Sequence, residues 1–117
     1  MRWLLAMLVV AGCSKADEPK STVEPPPPAI AASEVKRGLD ACKAYLANVC
    51  ACSTTVPAAK EACTLAASLP EAIEVGERLV ANPRSAREDA VQAAGSIRKT
   101  VKKCIEETAK LPSLGCP

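Results

Sequence analysis

The stretch "ACKAYLANVCAC", residues 41–52, carries three of the seven cysteines of the chain. It is rich in alanine and has no Gly or Pro, so it predicts a helix. In a helix, Cys42 and Cys50 lie about 12 Å apart along the axis, which is beyond the reach of a disulfide bond. Cys50 and Cys52 point to different sides of the same helix end. We therefore expect each of the three to pair with a cysteine elsewhere in the chain.

The residues around this stretch predict an all-α domain, because no segment alternates like a half-buried strand. Apolar residues at spacings of four and three predict three helices, at 33–52, 57–81 and 85–111. Ser33 and the capping boxes Ser68–Glu71 and Ser85–Glu88 are the predicted helix starts. We expect the second helix to be kinked or to restart near Pro70, and the third to end before Pro112.

The predicted core is thin, since the chain has one Tyr, one Trp and no Phe. The residues expected to face it in the first helix are Val35, Leu39, Cys42, Leu46 and Val49. In the second helix they are Ala62, Ala66, Leu69, Ile73 and Val80, and in the third Ala90, Ala94, Ile97, Val101, Cys104, Thr108 and Leu111. Disulfide bonds are expected to supply stability that such a core lacks.

We expect a three-helix up-down-up bundle, in which the cysteines of all three helices lie in one half of the domain. Excluding pairs within the first helix reduces the fifteen possible connectivities of six cysteines to six. The position of each cysteine along the bundle axis can be estimated from a rise of about 1.5 Å per residue. Pairing cysteines at similar positions favours one of the six connectivities. The favoured pairs are Cys42–Cys104, Cys50–Cys63 and Cys52–Cys116.

The N-terminal "MRWLLAMLVVAGC" has one positive charge and then an apolar run too short to cross a bilayer. Val10-Ala11-Gly12-Cys13 resembles the lipobox of bacterial lipoproteins. The resemblance implies a signal peptide over 1–12, cleavage before Cys13 by signal peptidase II, and a lipid such as palmitate on that cysteine. Ordinary cleavage after Ala11 is the alternative. Without Cys13, six cysteines remain, an even number suited to a disulfide framework.

Residues 13–32 are expected to form the lipidated cysteine and a disordered proline-rich spacer, with nothing that forms a core. The disulfide-stabilised helical domain is expected over 33–117. By the sorting rule of enteric bacteria, Ser14 after the lipidated cysteine implies the cell outer membrane.

Several chemistries have no support in the composition. Fifteen Lys and Arg balance thirteen Asp and Glu, and His is absent, so we expect no nucleic-acid partner, no metal site and no cofactor. The many carboxylates fit solvated helix faces, and no catalytic residue stands out.

The sequence therefore predicts a non-enzymatic lipoprotein of the bacterial envelope. Its partners would be the membrane, through the lipid on Cys13, and an envelope protein or the cell wall. The alternative is a protein that handles thiols or copper through Cys50-Ala51-Cys52, because two thiols separated by one residue can exchange disulfides or bind copper(I).

Overall fold

The computed structural model of the chain describes residues 27–117, so the signal segment, Cys13 and most of the predicted spacer lie outside it. The regular secondary structure of these residues is entirely α-helical, and none of them forms a β-strand. The helices are α1 (Ala32–Cys52), α2 (Ala59–Ala66), α3 (Ser68–Ala81) and α4 (Arg87–Leu114). The first and third predicted helices correspond to α1 and α4, while α2 and α3 together take the place of the second.

The predicted second helix is divided at Ala67, just before Pro70. Pro70 has no N–H to donate to the carbonyl group of Ala66, and its ring would clash with that carbonyl in a straight helix. Ala67 keeps helical dihedral angles, φ −59° and ψ −31°, so the chain bends without leaving the helical region. The capping box predicted at Ser68–Glu71 is wrong, because the Ser68 hydroxyl group donates to the carbonyl oxygen of Leu65 at 3.0 Å.

The start of α1 differs from the prediction. The helix begins at Ala32, so Ser33 is not its cap. Ala31 is extended, with φ −70° and ψ 140°, and its carbonyl oxygen accepts two backbone N–H groups of the first turn. Ile30 is only 4% exposed and belongs to the hydrophobic core. The burial of Ile30 therefore sets where α1 begins, and the prediction that nothing in residues 14–32 joins a core is wrong there.

The start of α4 is set by the loop before it. α4 begins at Arg87, and no side chain caps it, so the capping box predicted at Ser85–Glu88 is also wrong. The side-chain oxygen of Asn82 accepts the backbone N–H of Arg84 at 2.9 Å. This local turn places Ser85 outside the cap position.

The end of α4 lies beyond the predicted Leu111. The helix continues through Pro112 to Leu114, and Gly115 then adopts the left-handed conformation with φ 92°. Pro112 cannot donate a hydrogen bond to the carbonyl group of Thr108, but both residues are exposed, so water can replace the missing bond.

The core runs along one face of each helix. In α1 the buried residues are Val35, Gly38, Cys42, Tyr45, Val49 and Cys52. The predicted residues Leu39 and Leu46 are half-buried at its edge instead. Gly38 is buried because α4 passes so close that a Cβ atom added there would overlap Cγ2 of Val101.

The other two predicted core faces are correct at their centres and wrong at their edges. Ala66 and Ile73 are buried as predicted, whereas Ala62, Leu69 and Val80 are half-buried. In α4 the buried members of the predicted set are Ala94, Ile97, Cys104 and Leu111, while Ala90 and Val101 are half-buried and Thr108 is exposed. Gly76 of α3 is buried because a Cβ atom there would lie 2.8 Å from Cγ1 of Ile97.

Contacts along α1 and α4 follow the same order in both helices. From the start of α1 to its end, the contacts are Glu34 with Arg98, Cys42 with Cys104, and Cys52 with Cys116 just after α4. Along α1 and α3 the order is reversed, as Val35 lines a groove with Val80, and Lys43 Nζ lies 3.9 Å from Glu74 Oε1. Ile30 and Cys116 therefore lie toward opposite ends of α1.

Candidate functional site

Three disulfide bonds join all six cysteines of residues 27–117. They are Cys42–Cys104, Cys50–Cys63 and Cys52–Cys116, the same pairs that the helix heights favour. The first and third connect α1 to α4 and to the tail behind it, and the second connects α1 to α2. We call the turn 53–58 and the tail 115–117, together with the end of α1 from Cys50, the cysteine-rich end.

Cys50 and Cys52 belong to different disulfides and do not pair with each other. The motif Cys50-Ala51-Cys52 therefore offers no free thiol in this state of the protein. A thiolate is required both to attack a disulfide and to bind copper(I), so the motif would need prior reduction for either reaction.

The turn after α1 is held by its own hydroxyl groups. Ser53 Oγ donates to the carbonyl oxygen of Cys50 at 2.6 Å, and Thr54 Oγ1 donates to that of Ala51 at 2.8 Å. The backbone N–H of Val56 donates to the carbonyl oxygen of Cys52 at 2.9 Å. These local bonds use the carbonyl groups that a helix leaves unpaired at its end, so the turn is ordered without distant partners.

The tail after α4 has equally specific geometry. The backbone N–H of Cys116 donates to the carbonyl oxygen of Leu111 at 3.0 Å, and that of Gly115 donates to Pro112 at 3.1 Å. This pair of bonds around a left-handed glycine is the Schellman motif. It directs Cys116, which is 5% exposed, back toward Cys52.

A shallow groove of about 350 Å³ lies where the turn and the tail meet. It is lined by Asn48, Ala51, Cys52, Thr54, Thr55 and Pro117. None of these side chains carries a charge, and those of Asn48, Thr54 and Thr55 can donate and accept hydrogen bonds. The side chains of the groove are therefore uncharged, and three of them can bind amide or hydroxyl groups of a partner.

At the opposite end of α1, residues 27–31 form a strap across the start of α4. Arg87 Nη1 donates to the carbonyl oxygen of Pro27 at 3.0 Å, and Arg98 Nη2 donates to that of Ala29 at 3.5 Å. The sequence does not predict this contact, because main-chain oxygens accept hydrogen bonds from these arginines and main-chain groups leave no signal in side-chain periodicity.

An ion pair lies beside the strap. Arg98 Nε donates to Glu34 Oε1 at 2.8 Å, and this hydrogen bond holds the pKa of the Glu34 carboxyl group below its ordinary value. The same bond raises the pKa of Arg98. Both side chains are substantially exposed, so the pair orients the strap and the start of α1 more than it stabilises the fold.

An apolar groove of about 420 Å³ runs along α4 next to this ion pair. Its floor consists of Ile30, Ile97, Val101 and Ile105, of which Ile105 is 58% exposed. Glu34, Arg98, Lys102 and Glu106 form a rim of mixed charge. The predicted stripe of α4 contains Ile97 and Val101 but not Ile105, so the sequence showed only part of this groove.

No family model, no curated protein and no solved structure matches the chain. Within residues 27–117, no helix has the length and apolar character needed to cross a membrane. Across the same residues, no group of three or more His, Cys, Asp and Glu side chains is placed to hold a metal ion. The lipobox and Cys13 lie outside the described residues. The function must therefore be inferred from the chain itself.

Proposed function

We propose that the protein is a lipoprotein of the bacterial envelope, anchored through Cys13, whose helical domain binds another envelope protein or the cell wall without catalysing a reaction. The observation that carries the proposal is the cysteine count. The other six cysteines pair among themselves, so the disulfide framework does not need Cys13. A cysteine outside the framework and directly behind an apolar run fits lipidation better than a seventh member of a framework.

The domain we propose is an up-down-up bundle on a proline-rich spacer. The parallel order of contacts along α1 and α4, and the reversed order along α3, support this arrangement. The strap shortens the spacer to residues 14–26, which in polyproline II would reach about 40 Å. Ser14 after the anchor favours the outer membrane.

The contact surface we propose is the cysteine-rich end. Because the strap enters at the other end of α1, this end would face away from the membrane. Its turn and tail are fixed by local hydrogen bonds and by Cys52–Cys116, so little conformational freedom would be lost on binding. The uncharged side chains of its groove, with the hydrogen-bonding groups of Asn48, Thr54 and Thr55, support recognition of amide or hydroxyl groups on a partner.

The anchor is tested by Cys13→Ser. The variant should lose labelling by a radioactive fatty acid and accumulate as uncleaved precursor, because the thiol is the site of acylation. Cys63→Ser is a matched control that removes a cysteine from the folded domain and should leave labelling intact. Normal maturation of the Cys13 variant would contradict the lipoprotein proposal. Recovery of the unsubstituted protein only from inner-membrane fractions would contradict the outer-membrane location.

The binding surface is tested by charge substitution at each end of the domain. Thr54→Asp and Thr55→Asp place a negative charge at the cysteine-rich end, and Arg84→Asp reverses a charge in the loop before α4; all three positions are exposed. Cross-linking of the anchored protein to its envelope neighbours should weaken with the first two variants and persist with the third. The reverse result would show that the domain binds through its membrane-facing end.

A further inference from the structure

The three disulfide bonds differ in how well a reductant can reach them. Cys42 and Cys104 are both 0% exposed, and Cys52 and Cys116 are 7% and 5% exposed. The two cysteines of the remaining bond, Cys50 and Cys63, are half-buried. A thiolate must reach a sulfur atom to attack a disulfide. Cys50–Cys63 is therefore more accessible to a reductant than the other two bonds.

The helix that this bond holds packs closely against α1, but through small side chains. The buried residues of α2 are Ala59 and Ala66, and its largest apolar side chain, Leu65, is 62% exposed. In the described part of the chain, no side-chain hydrogen bond between nitrogen and oxygen atoms and no ion pair joins α2 to α1 or α4. Two buried alanine side chains and the half-buried Ala62 contribute little apolar area, so the Cys50–Cys63 bond supplies a large part of the attachment of α2 to α1.

The other two disulfides would keep the rest of the fold together if this one opened. Both connect α1 to α4 or its tail, at sequence separations of 62 and 64, whereas the Cys50–Cys63 separation is 13. In the chain-entropy model a longer closed loop constrains the unfolded chain more. Opening Cys50–Cys63 therefore removes the weakest of the three constraints and the one that acts on α2.

We propose that Cys50–Cys63 is a site of thiol–disulfide exchange with an external dithiol, and that its opening releases α2 while α1 and α4 remain folded. One thiolate of the dithiol attacks a sulfur atom of the pair, the protein S–S bond breaks, and the other cysteine leaves as a thiolate that takes a proton. The second thiol of the reagent then resolves the mixed disulfide. The protein gains two electrons and two protons, and the dithiol becomes a disulfide. The proposal does not depend on the lipoprotein function.

Timed reduction of the oxidised full chain tests the access argument. The chain is exposed to dithiothreitol, quenched with an alkylating reagent at intervals, and mapped by peptide mass spectrometry so that Cys13 is scored separately. Cys50 and Cys63 should become alkylated at least about tenfold faster than Cys42 and Cys104, which require prior opening of the core. Equal rates, or earlier opening of Cys52–Cys116, would overturn the proposal.

Amide hydrogen exchange on two double variants tests the release of α2. In Cys50→Ser/Cys63→Ser, the amides of 59–66 should exchange faster while those of 97–104 keep their protection. In the matched control Cys42→Ser/Cys104→Ser, protection should fall in α4 as well, because a fully buried link is lost. Global unfolding of the first variant, or unchanged exchange in α2, would show that this disulfide does not hold α2 as a separate unit.

Discussion

Helix α4 is attached to its two long neighbours in different ways. Two disulfides, Cys42–Cys104 and Cys52–Cys116, connect it and its tail to α1. Among the described residues no disulfide connects α4 to α3, and the two helices approach each other where Gly76 meets Ile97. The comparison shows that the α1–α4 pair combines covalent links with close packing at Gly38, whereas the α3–α4 pair depends on packing alone, so the two contacts should fail under different treatments.

Complete reduction should have the largest effect, because it removes the covalent attachment of α1. Three disulfides at about 2–4 kcal/mol each amount to most of the net stability of a small domain. We expect the reduced protein to lose its helical circular dichroism at 25 °C, while the oxidised protein keeps it. A cooperative thermal transition from a fully helical reduced state would show that packing alone is sufficient.

Gly76→Ala should weaken the α3–α4 contact while the disulfides stay intact. The added Cβ atom would lie 2.8 Å from Cγ1 of Ile97, which is 1% exposed, so that side chain or the two helices must shift. Overpacking of this kind costs about 1–3 kcal/mol. The decrease should be seen in the free energy of unfolding from urea titration of the oxidised protein.

Gly95→Ala is the matched control within α4. A Cβ atom there meets nothing within 4 Å, so only helix propensity changes and we expect stabilisation by about 0.5–1 kcal/mol. If both variants were destabilised equally, close packing at Gly76 would not be what holds α3 to α4.

Acid should have the smallest effect, confined to the strap end of the α1–α4 contact. The folded-state pKa of Glu34 is lowered, so its contribution is present above the ordinary value of 4.5 and is lost as the pH falls through the lowered pKa. Glu34→Gln should therefore flatten the pH dependence of the free energy of unfolding between pH 5 and pH 3. Glu106→Gln, which affects an ion pair within α4, is the control. An unchanged slope in the Glu34 variant would contradict this assignment.

The sequence allowed the helices and the cysteine pairs to be predicted because both follow from spacing along a regular helix. The errors lie where tertiary contacts decide. Ile30 follows a proline run that has no periodicity, yet it enters the core. Gly38 is buried in place of Leu39 because α4 approaches too closely for a side chain, and a hydropathy pattern does not mark glycine as a contact residue.

The helix starts were mispredicted for a related reason. Ser33 and Ser85 are sound capping residues by type, but the burial of Ile30 and the side chain of Asn82 fix where the backbone enters each helix. The groove of the cysteine-rich end was predictable in position, from the turn and the tail. Its lining was not predictable, because the Schellman turn at Gly115 determines where the tail meets the turn.

The Cys52–Cys116 bond also determines how the domain would bear a pulling force. A load applied between the strap and the tail passes along α1 to Cys52 and crosses directly to Cys116. Of the chain between these cysteines, a sequence separation of 64, only the segment 104–116 can share the load, through Cys42–Cys104, and the load bypasses α2 and α3. Stretching would lengthen α1, from about 1.5 Å to about 3.5 Å per residue. The tail would stay tethered close to α1 even while the bypassed helices lost their structure.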